Sequence, residues 1–249
     1  MNLKVMDYNI RRNGREKDPA NLWVYRKDAL VSLIQQHSPD ILCVQEDKPD
    51  QTEVISQALK EYGHYGQYTE DSVDVSGESN TIFYRSNLEL LAKNYFWLTK
   101  DPSQRGKLDG QGDYFRLVTF VELGVNGQKL SVFNTHFDYK SDAVIYKQAE
   151  ILAGIVKRPK NYLICGDFNC AITTRPMQFL KKKYILANPE TREKTWVDWS
   201  DEAHAMAIDF IFSNLKKGNL VVDKTKYTGI GGMQRTPSDH YPIIAEFEI

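Results

Sequence analysis

The sequence predicts an α/β chain of the α+β kind, with two mixed, mainly antiparallel sheets packed face to face and helices outside. Three observations lead there. Apolar runs of strand length recur about ten times, against four stretches with helical spacing. Many neighbouring strands are separated only by short turns, whereas a purely parallel sheet needs a long crossover after every strand. No repeat, low-complexity tract or shift of composition marks a linker. The 249 residues therefore read as one domain, 1–249, long enough to bury a substantial core.

Residues 3–10 alternate as a strand and end on Asn9, ahead of Arg11 and Arg12. From 22 to 36, Leu22, Trp23, Ala29, Leu30, Leu33 and Ile34 recur at helical spacing, and His37, Ser38 and Pro39 close the helix. Residues 41–44 are a continuous apolar run too short for a helix, hence a buried strand that delivers Gln45 and Glu46 at its end. A second helix is expected over 51–62, with Val54, Ile55, Ala58 and Leu59 on one face and Gly63 as its stop. A polar loop and strands at 81–84 and 88–98 follow. Residues 99–113, rich in Gly, Asp and Lys, form the longest irregular stretch and a candidate for substrate contact.

Strands at 115–123 and 128–134 make a hairpin about a Val-Asn-Gly turn and lead into His136, Phe137 and Asp138. Ser141 caps a helix whose Val144, Ile145, Ala149, Leu152 and Ile155 share a face. Residues 162–165 read as a buried strand that Gly166 ends in a sharp turn, with Asp167 and Asn169 on alternate positions beyond it. A short helix at 176–182, a polar loop at 188–206 carrying Trp196 and Trp199, and strands at 207–212, 220–227 and 241–249 complete the chain.

A net charge of −1 excludes a strongly basic grip on nucleic acid over the whole surface and leaves room for a local patch. Cys43, Cys165 and Cys170 lack the paired spacing of a zinc site, and two of them sit in apolar runs, so reduced, buried thiols are expected. No apolar run is long enough to span a bilayer, and no leader pattern precedes residue 3. The expectation is a cytoplasmic monomer without stable membrane association.

Polar residues fall repeatedly where an apolar strand ends: Asn9, Glu46, His136 with Asp138, Asp167 with Asn169, Asp209, and Asp239 with His240. Buried acids gathered at one rim need one another or a metal. Carboxylates and carboxamides without thiolates point to Mg²⁺ or Mn²⁺, and two histidines beside such an ion can manage protons near neutral pH. Each feature alone also has a plainer reading. Asp239-His240 fits a surface turn, Asp167 with Asn169 an Asx turn, His136 a core histidine and Glu78 a loop acid. Lys100, Arg105 and Lys107, near Tyr114 and Phe115, fit a solvated loop, and residues 229–232 lack the Gly-Lys-Ser/Thr of a phosphate loop.

Taken together, Tyr-Asn-Ile-Arg at Asn9, Val-Gln-Glu at Glu46, Asn134 to Asp138, Gly166 to Asn169, Ile208-Asp209-Phe210 and Ser238-Asp239-His240-Tyr241-Pro242 resemble the endonuclease/exonuclease/phosphatase superfamily, in its order and over nearly the whole chain. That family spans deoxyribonucleases, abasic-site nucleases, inositol phosphate phosphatases, neutral sphingomyelinases and deadenylases. The resemblance implies a four-layered αββα sandwich, as in deoxyribonuclease I, with the site at one edge of the sheets. It implies Glu46 as principal metal ligand, helped by Asn9 and Asp239, and Asp167 and Asn169 positioning the attacking water or a second metal. His240 held by Asp209, together with His136, would flank the phosphorus. On this expectation His240 and Asp167 activate the water while His136 stabilises the phosphoryl oxygens. Glu78 would orient His136, and Arg116, Asn169 and Asp138 would meet the substrate. The residues after His136 depart from the deoxyribonuclease pattern and are similar to a bacterial branch that shares Phe96-Trp97-Leu98 and the helix from Trp23 to Arg26. The implied activity is Mg²⁺-dependent hydrolysis of a phosphate ester, first a phosphodiester of nucleic acid or a nucleotide. The alternatives are a phosphatase, a lipid-headgroup phosphodiesterase, or a metal-binding scaffold without catalysis.

Overall fold

The computed structural model describes residues 1–69, 77–108, 112–157, 159–188, 193–200 and 204–249. Parts of the loops expected after residue 63 and at 99–113 and 188–206 lie outside them. Two sheets dominate. The first has six strands: β10 (Lys216–Val222), β13 (Ile243–Glu248), β1 (Asn2–Asn9), β2 (Ile41–Gln45), β4 (Ile82–Arg85) and β3 (Tyr62–Tyr65), in that order. The second has five: β5 (Glu89–Trp97), β6 (Leu117–Val125), β7 (Gln128–His136), β8 (Tyr162–Asp167) and β9 (Asp209–Ser213). Each sheet contains one parallel pair, β1 with β2 and β7 with β8. Each pair is bridged by a helix, α1 (Trp23–His37) and α3 (Asp142–Val156), as parallel neighbours require. Helices α2 (Pro49–Ala58) and α4 (Arg175–Lys181) complete the outer layers. A two-stranded ribbon, β11 (Tyr227–Thr228) with β12 (Gln234–Arg235), stands apart.

Alternation along the strands builds four layers. Leu3 and Val5 of β1, and Ile41 and Cys43 of β2, pack between the sheets against Leu130, Val132, Leu163, Cys165 and Ile211. Met6, Tyr8, Leu42 and Val44 face the other way, onto Trp23, Leu30, Leu33, Ile34 and Ile55 of α1 and α2. Phe133, Ile164, Phe210 and Phe212 face α3 and α4 through Ile145, Ala149, Leu152, Met177 and Leu180. The expected αββα sandwich is what forms. All three cysteines are free and buried, and no helix among the described residues is long and apolar enough to cross a membrane.

Three local expectations are corrected. The second helix stops at Ala58, and residues 62–65 pair with β4 as a strand. Gly63 is therefore no helix stop: a Cβ there would lie 2.8 Å from the Tyr84 ring, which packs directly on the glycine and would have to shift for any side chain. The strand expected over 220–227 begins earlier, at Lys216, and ends at Val222, and its last residues join the separate ribbon. Gly166 lies inside β8 rather than ending it. Its φ is +156°, and a Cβ would sit 2.1 Å from the Thr135 carbonyl oxygen on β7. Backbone proximity fixes glycine at this point.

Candidate active site

The inter-sheet faces that are apolar through the core turn polar at one end. On β1, Leu3 and Val5 are followed on the same face by Asp7 and Asn9, and on β2 Ile41 and Cys43 by Gln45. Opposite them, Leu130 and Val132 give way to Asn134 and His136, Cys165 to Asp167, and Ile211 is preceded by Asp209. Register does the rest. His136 pairs with Asp167 across β7 and β8, and Asp167 with Asp209 across β8 and β9, so three chemically active side chains form one row.

The first sheet reaches that row through Asn9. Its Nδ2 donates to Asp167 Oδ2 at 3.0 Å and to Glu46 Oε1 at 3.2 Å. The same Asp167 oxygen lies 3.4 Å from His136 Nε2 and 3.7 Å from His240 Nε2. His240 Nδ1 donates to both oxygens of Asp209, at 2.9 and 3.1 Å. Two backbone turns swing further groups inward. Glu46 has φ +65° and Asn169 φ +50°, a conformation that costs non-glycine residues about 1–2 kcal/mol and persists where the surroundings impose it. Asn169 is held by its own amide on Asp167 Oδ1 at 2.9 Å and by its Nδ2 on the Phe137 carbonyl at 2.8 Å, with that nitrogen 3.0 Å from His136 Nε2.

Charge divides the roles of these groups. Burial opposes a charge on His240, but Asp209, Asp167 and Asp239 outweigh it and raise its pKa to about 10, so the ring is an imidazolium. Burial, then repulsion from Asp209, raises Asp167 to about 7 despite His240 and the Asn169 and Asn9 donors. Burial and Arg116 push His136 well below its ordinary value and keep it neutral. Arg116 Nη1 lies 3.0 Å from His136 Nδ1, and arginine only donates, which favours the lone pair on Nδ1 and the ring proton on Nε2, facing Asp167; Asn169 Nδ2, also a donor and 3.0 Å from Nε2, favours the opposite tautomer. Burial opposes ionisation of Glu46, but Arg11, the Arg12 amide and the His240 charge hold its pKa well below the usual carboxylate range.

Asp7, Asp167, Asp209 and Asp239 are buried, with Glu46 at their rim. Burial, with repulsion from Asp209 at Asp7 and Asp167 and from Glu46 at Asp239, raises the pKa of these three, the cost of ionising buried acids that lie close together. A divalent cation would relieve it, and oxygen and imidazole donors without thiolate suit a hard ion. Asp167, Asp209 and His240 each offer a ligand atom, all within 4.8 Å of one another, and form a buried group that could hold a metal. The expected set of Glu46, Asn9 and Asp239 lies beside it. Asp239 is approached by Arg11 Nη1 at 3.8 Å and by Ser238 Oγ at 3.3 Å.

Two expected roles change. Glu78 does not hold His136 directly: Arg116 stands between them, 3.6 Å from Glu78 Oε2, while Arg12 takes Glu78 Oε1 at 2.6 Å. Asp138 is fully buried, and its oxygens are taken by the chain itself. It accepts the backbone amides of Asp113, Tyr114 and Lys140 at 2.9, 3.1 and 2.8 Å and so anchors a loop.

Other residues escaped the sequence reading. Gln45 bridges Asp7 and Asn134 at 2.7 Å each, tying the sheets together behind the site. Arg26 is fully buried and donates to the carbonyls of Ile10 at 2.6 Å, Arg11 at 2.5 Å and Pro237 at 3.1 Å, fastening the loop after Asn9 to the loop before Asp239. Its guanidinium stacks between Trp23 and Trp199 at 5.0 and 5.3 Å, which gives Trp199 a packing role. Asp7 was within reach of sequence reasoning, because it shares the strand face of Asn9.

The family model described as Endonuclease/Exonuclease/phosphatase family matches residues 8–240. An uncharacterized protein of Acanthamoeba polyphaga mimivirus is 25% identical over 181 residues, covering 67% of this chain and 67% of that protein. The CCR4-Not complex 3'-5'-exoribonuclease subunit Ccr4 of Emericella nidulans is 24% identical over 164 residues, which is 56% of this chain but only 24% of that protein. Among solved structures, an endonuclease/exonuclease/phosphatase family protein from Bacteroides thetaiotaomicron superposes with a TM-score of 0.89 at 24% identity, covering 100% of this chain and 99% of that one. A mannosyl-6-phosphatase of the same organism gives 0.88 at 24%, covering 99% and 100%. These structural likenesses establish the fold.

Proposed function

The chain belongs to the endonuclease/exonuclease/phosphatase family, and from that premise we propose that it is a metal-dependent phosphoesterase whose first reaction is hydrolysis of a phosphodiester in nucleic acid or a nucleotide. One observation carries the reading: a single oxygen of Asp167 receives Asn9 at 3.0 Å and faces both imidazoles, at 3.4 and 3.7 Å. A scissile phosphate seated there meets a proton acceptor, a charged donor and a neutral donor at once.

Asp167, with a pKa near neutrality, is suited to take the proton of the attacking water. His240 remains an imidazolium and donates to a phosphoryl oxygen or to the leaving group, with Asp209 fixing its ring. This reading moves the basic role from His240 to Asp167. In the tautomer that Arg116 favours, His136 presents Nε2–H to the phosphoryl oxygens. A Mg²⁺ or Mn²⁺ ion would be held by Glu46, Asn9 and Asp239, and when bound it supplies charge that neutralises the phosphoryl and leaving oxygens. We favour these ligands because Asp209 is engaged in orienting His240.

Arg12 and Arg116 are tied to Glu78, Arg11 to Glu16 and His240 to Asp209, so the described residues offer little unpaired positive charge at the cleavage point. That suits the single charge of a diester better than the dianion of a monoester. A phosphomonoesterase is the second reading. It is favoured by the polar pocket of about 700 Å³ beside the site, which is large enough for a small phosphorylated molecule, and by the likeness to the mannosyl-6-phosphatase. The test is hydrolysis of bis-p-nitrophenyl phosphate and of p-nitrophenyl phosphate with Mg²⁺ and with EDTA. Turnover of the diester that needs Mg²⁺ and is lost in Glu46→Ala is the expected result; preference for the monoester selects the second reading, and no turnover of either removes both.

A further inference from the structure

The end of the sandwich opposite the site is where β7 and β8 begin, where β9 ends, and where α3 and α4 both stop. Two short basic stretches meet there. Lys157 caps α3, Lys160 stands just ahead of β8, and Lys181 to Lys183 close α4. Hydrogen bonds hold the stretches side by side. The Tyr184 hydroxyl donates to the Ala153 carbonyl at 3.3 Å, one turn before Lys157. The Asn214 side chain donates to the Lys160 carbonyl at 2.6 Å, and the neighbouring Ser213 amide to the Ile185 carbonyl at 2.8 Å.

Little opposes this charge. Between residues 151 and 189 the chain carries Lys157, Arg158, Lys160, Arg175, Lys181, Lys182 and Lys183 against a single acid, Asp167, which belongs to the site. Lys157, Lys160, Lys182 and Lys183 are exposed, and none of the four is ion-paired among the described residues. Glu122 and Glu248, near the same end, are taken by Lys129 and Lys216 at 2.7 and 2.8 Å. Glu150 lies two turns before Lys157, about 10 Å along α3. The acids within 70–76, 109–111, 189–192 and 201–203 belong to segments rooted beside the site, next to Glu78, Asp138, Asp209 and the stack of Arg26 on Trp199. Among these lysines Ile185 stands 63% exposed.

The make-up of the patch selects its partner. Lysine is a strongly hydrated point charge without the planar fork that grips phosphates bidentately. The ring at hand, Phe179, already has Lys183 over its face at 5.0 Å, which leaves a base little to stack on. A nucleic-acid backbone offers Ile185 nothing, and β8 alone puts about 17 Å between this end and Asp167. An anionic bilayer meets both parts, because its headgroups attract the lysines and its interface takes the exposed isoleucine. We infer that this end of the molecule docks reversibly on a membrane surface rich in anionic lipid and leaves the candidate active site facing the solvent. One apolar side chain beside a basic patch makes a weak anchor, not stable insertion. The substrate then comes from solution, not from the headgroups of the same bilayer.

The test is flotation of the protein with phosphatidylcholine vesicles, with and without phosphatidylserine, at low and high salt. It needs no turnover, so its result stands apart from that of the hydrolysis assay. Wild type is expected on the phosphatidylserine vesicles at low salt and free at high salt, because exposed charges are screened. Lys182→Gln/Lys183→Gln should weaken that binding about 25-fold, roughly fivefold for each lysine. Lys224→Gln/Lys226→Gln, the same change of charge ahead of the ribbon, should have a much smaller effect, and Ile185→Ser should weaken binding too. All five side chains are exposed, so the variants are expected to keep the wild-type unfolding temperature. Wild type that stays off both kinds of vesicle, equal losses in the two double variants, or indifference to Ile185→Ser overturns the inference. So does binding of single- or double-stranded oligonucleotides that needs Lys182 and Lys183 while vesicles stay bare; the patch then serves a nucleic-acid backbone.

Discussion

Asp209 grips His240 through both carboxylate oxygens, 2.9 and 3.1 Å from Nδ1, and so commits the opposite nitrogen to Asp167, 3.7 Å away. Asp209 is among the chief groups holding His240 protonated up to about pH 10. In Asp209→Asn the alkaline limb of kcat/KM should move toward neutral pH, because the imidazolium loses that support and deprotonates earlier. The drop at pH 8 should be about 10²- to 10⁴-fold, the range typical of general acid–base groups. An unmoved alkaline limb in pH–rate profiles would show that His240 is not the donor.

Glu46 and Asp239 gather negative charge that a cation should relieve. Addition of Mg²⁺ should therefore raise the unfolding temperature. At about 100 times the dissociation constant a single site contributes about 2.7 kcal/mol. Calorimetric scans with and without EDTA measure the shift, and Glu46→Ala should abolish it.

Asp47, next to that ligand, is fully buried and accepts from Thr52 Oγ1 at 2.6 Å and Thr81 Oγ1 at 2.5 Å, yet burial raises its pKa to about 6. The folded chain thus binds a proton at this carboxyl that the unfolded chain has already released above about pH 4. Its contribution to stability is full below that pH and is lost as the pH rises through 6, a change on the order of 3 kcal/mol. Urea denaturation of wild type and Asp47→Asn between pH 4 and 7 should show the difference between them shifting in favour of the variant as pH rises.

How far the sequence could be read follows from these same residues. Asn9, His136, Asp167 and Asp209 are legible because strand alternation places a polar group on the face its apolar predecessors bury. Glu46 and Asn169 face the site through left-handed backbone turns, +65° and +50°, which alternation does not reveal. The sequence points Glu78 at His136 and Asp138 at substrate, but their partners, Arg116 and the amides of residues 113 and 114, come from elsewhere in the chain. Gly63 reads equally as a helix stop or as a crowded strand position, and only the Tyr84 ring decides.

Arg26 should prove as necessary as the reacting groups. Arg26→Met leaves several buried carbonyls unpaired at about 1–3 kcal/mol each, so a fall in unfolding temperature is expected. Arg26→Lys keeps the charge but not the fork. It should fold better than the methionine variant, yet show kcat on bis-p-nitrophenyl phosphate reduced at least about tenfold, because the loops carrying Asn9 and Asp239 lose their common anchor. Full activity in Arg26→Lys would limit the residue to packing.

That clasp joins groups more than two hundred positions apart, with β1 zipped along β13 beneath it. On the ribosome, Asn9 and Glu46 emerge long before Asp239 and His240 exist. The two halves of the candidate site therefore meet only once β13 has paired with β1.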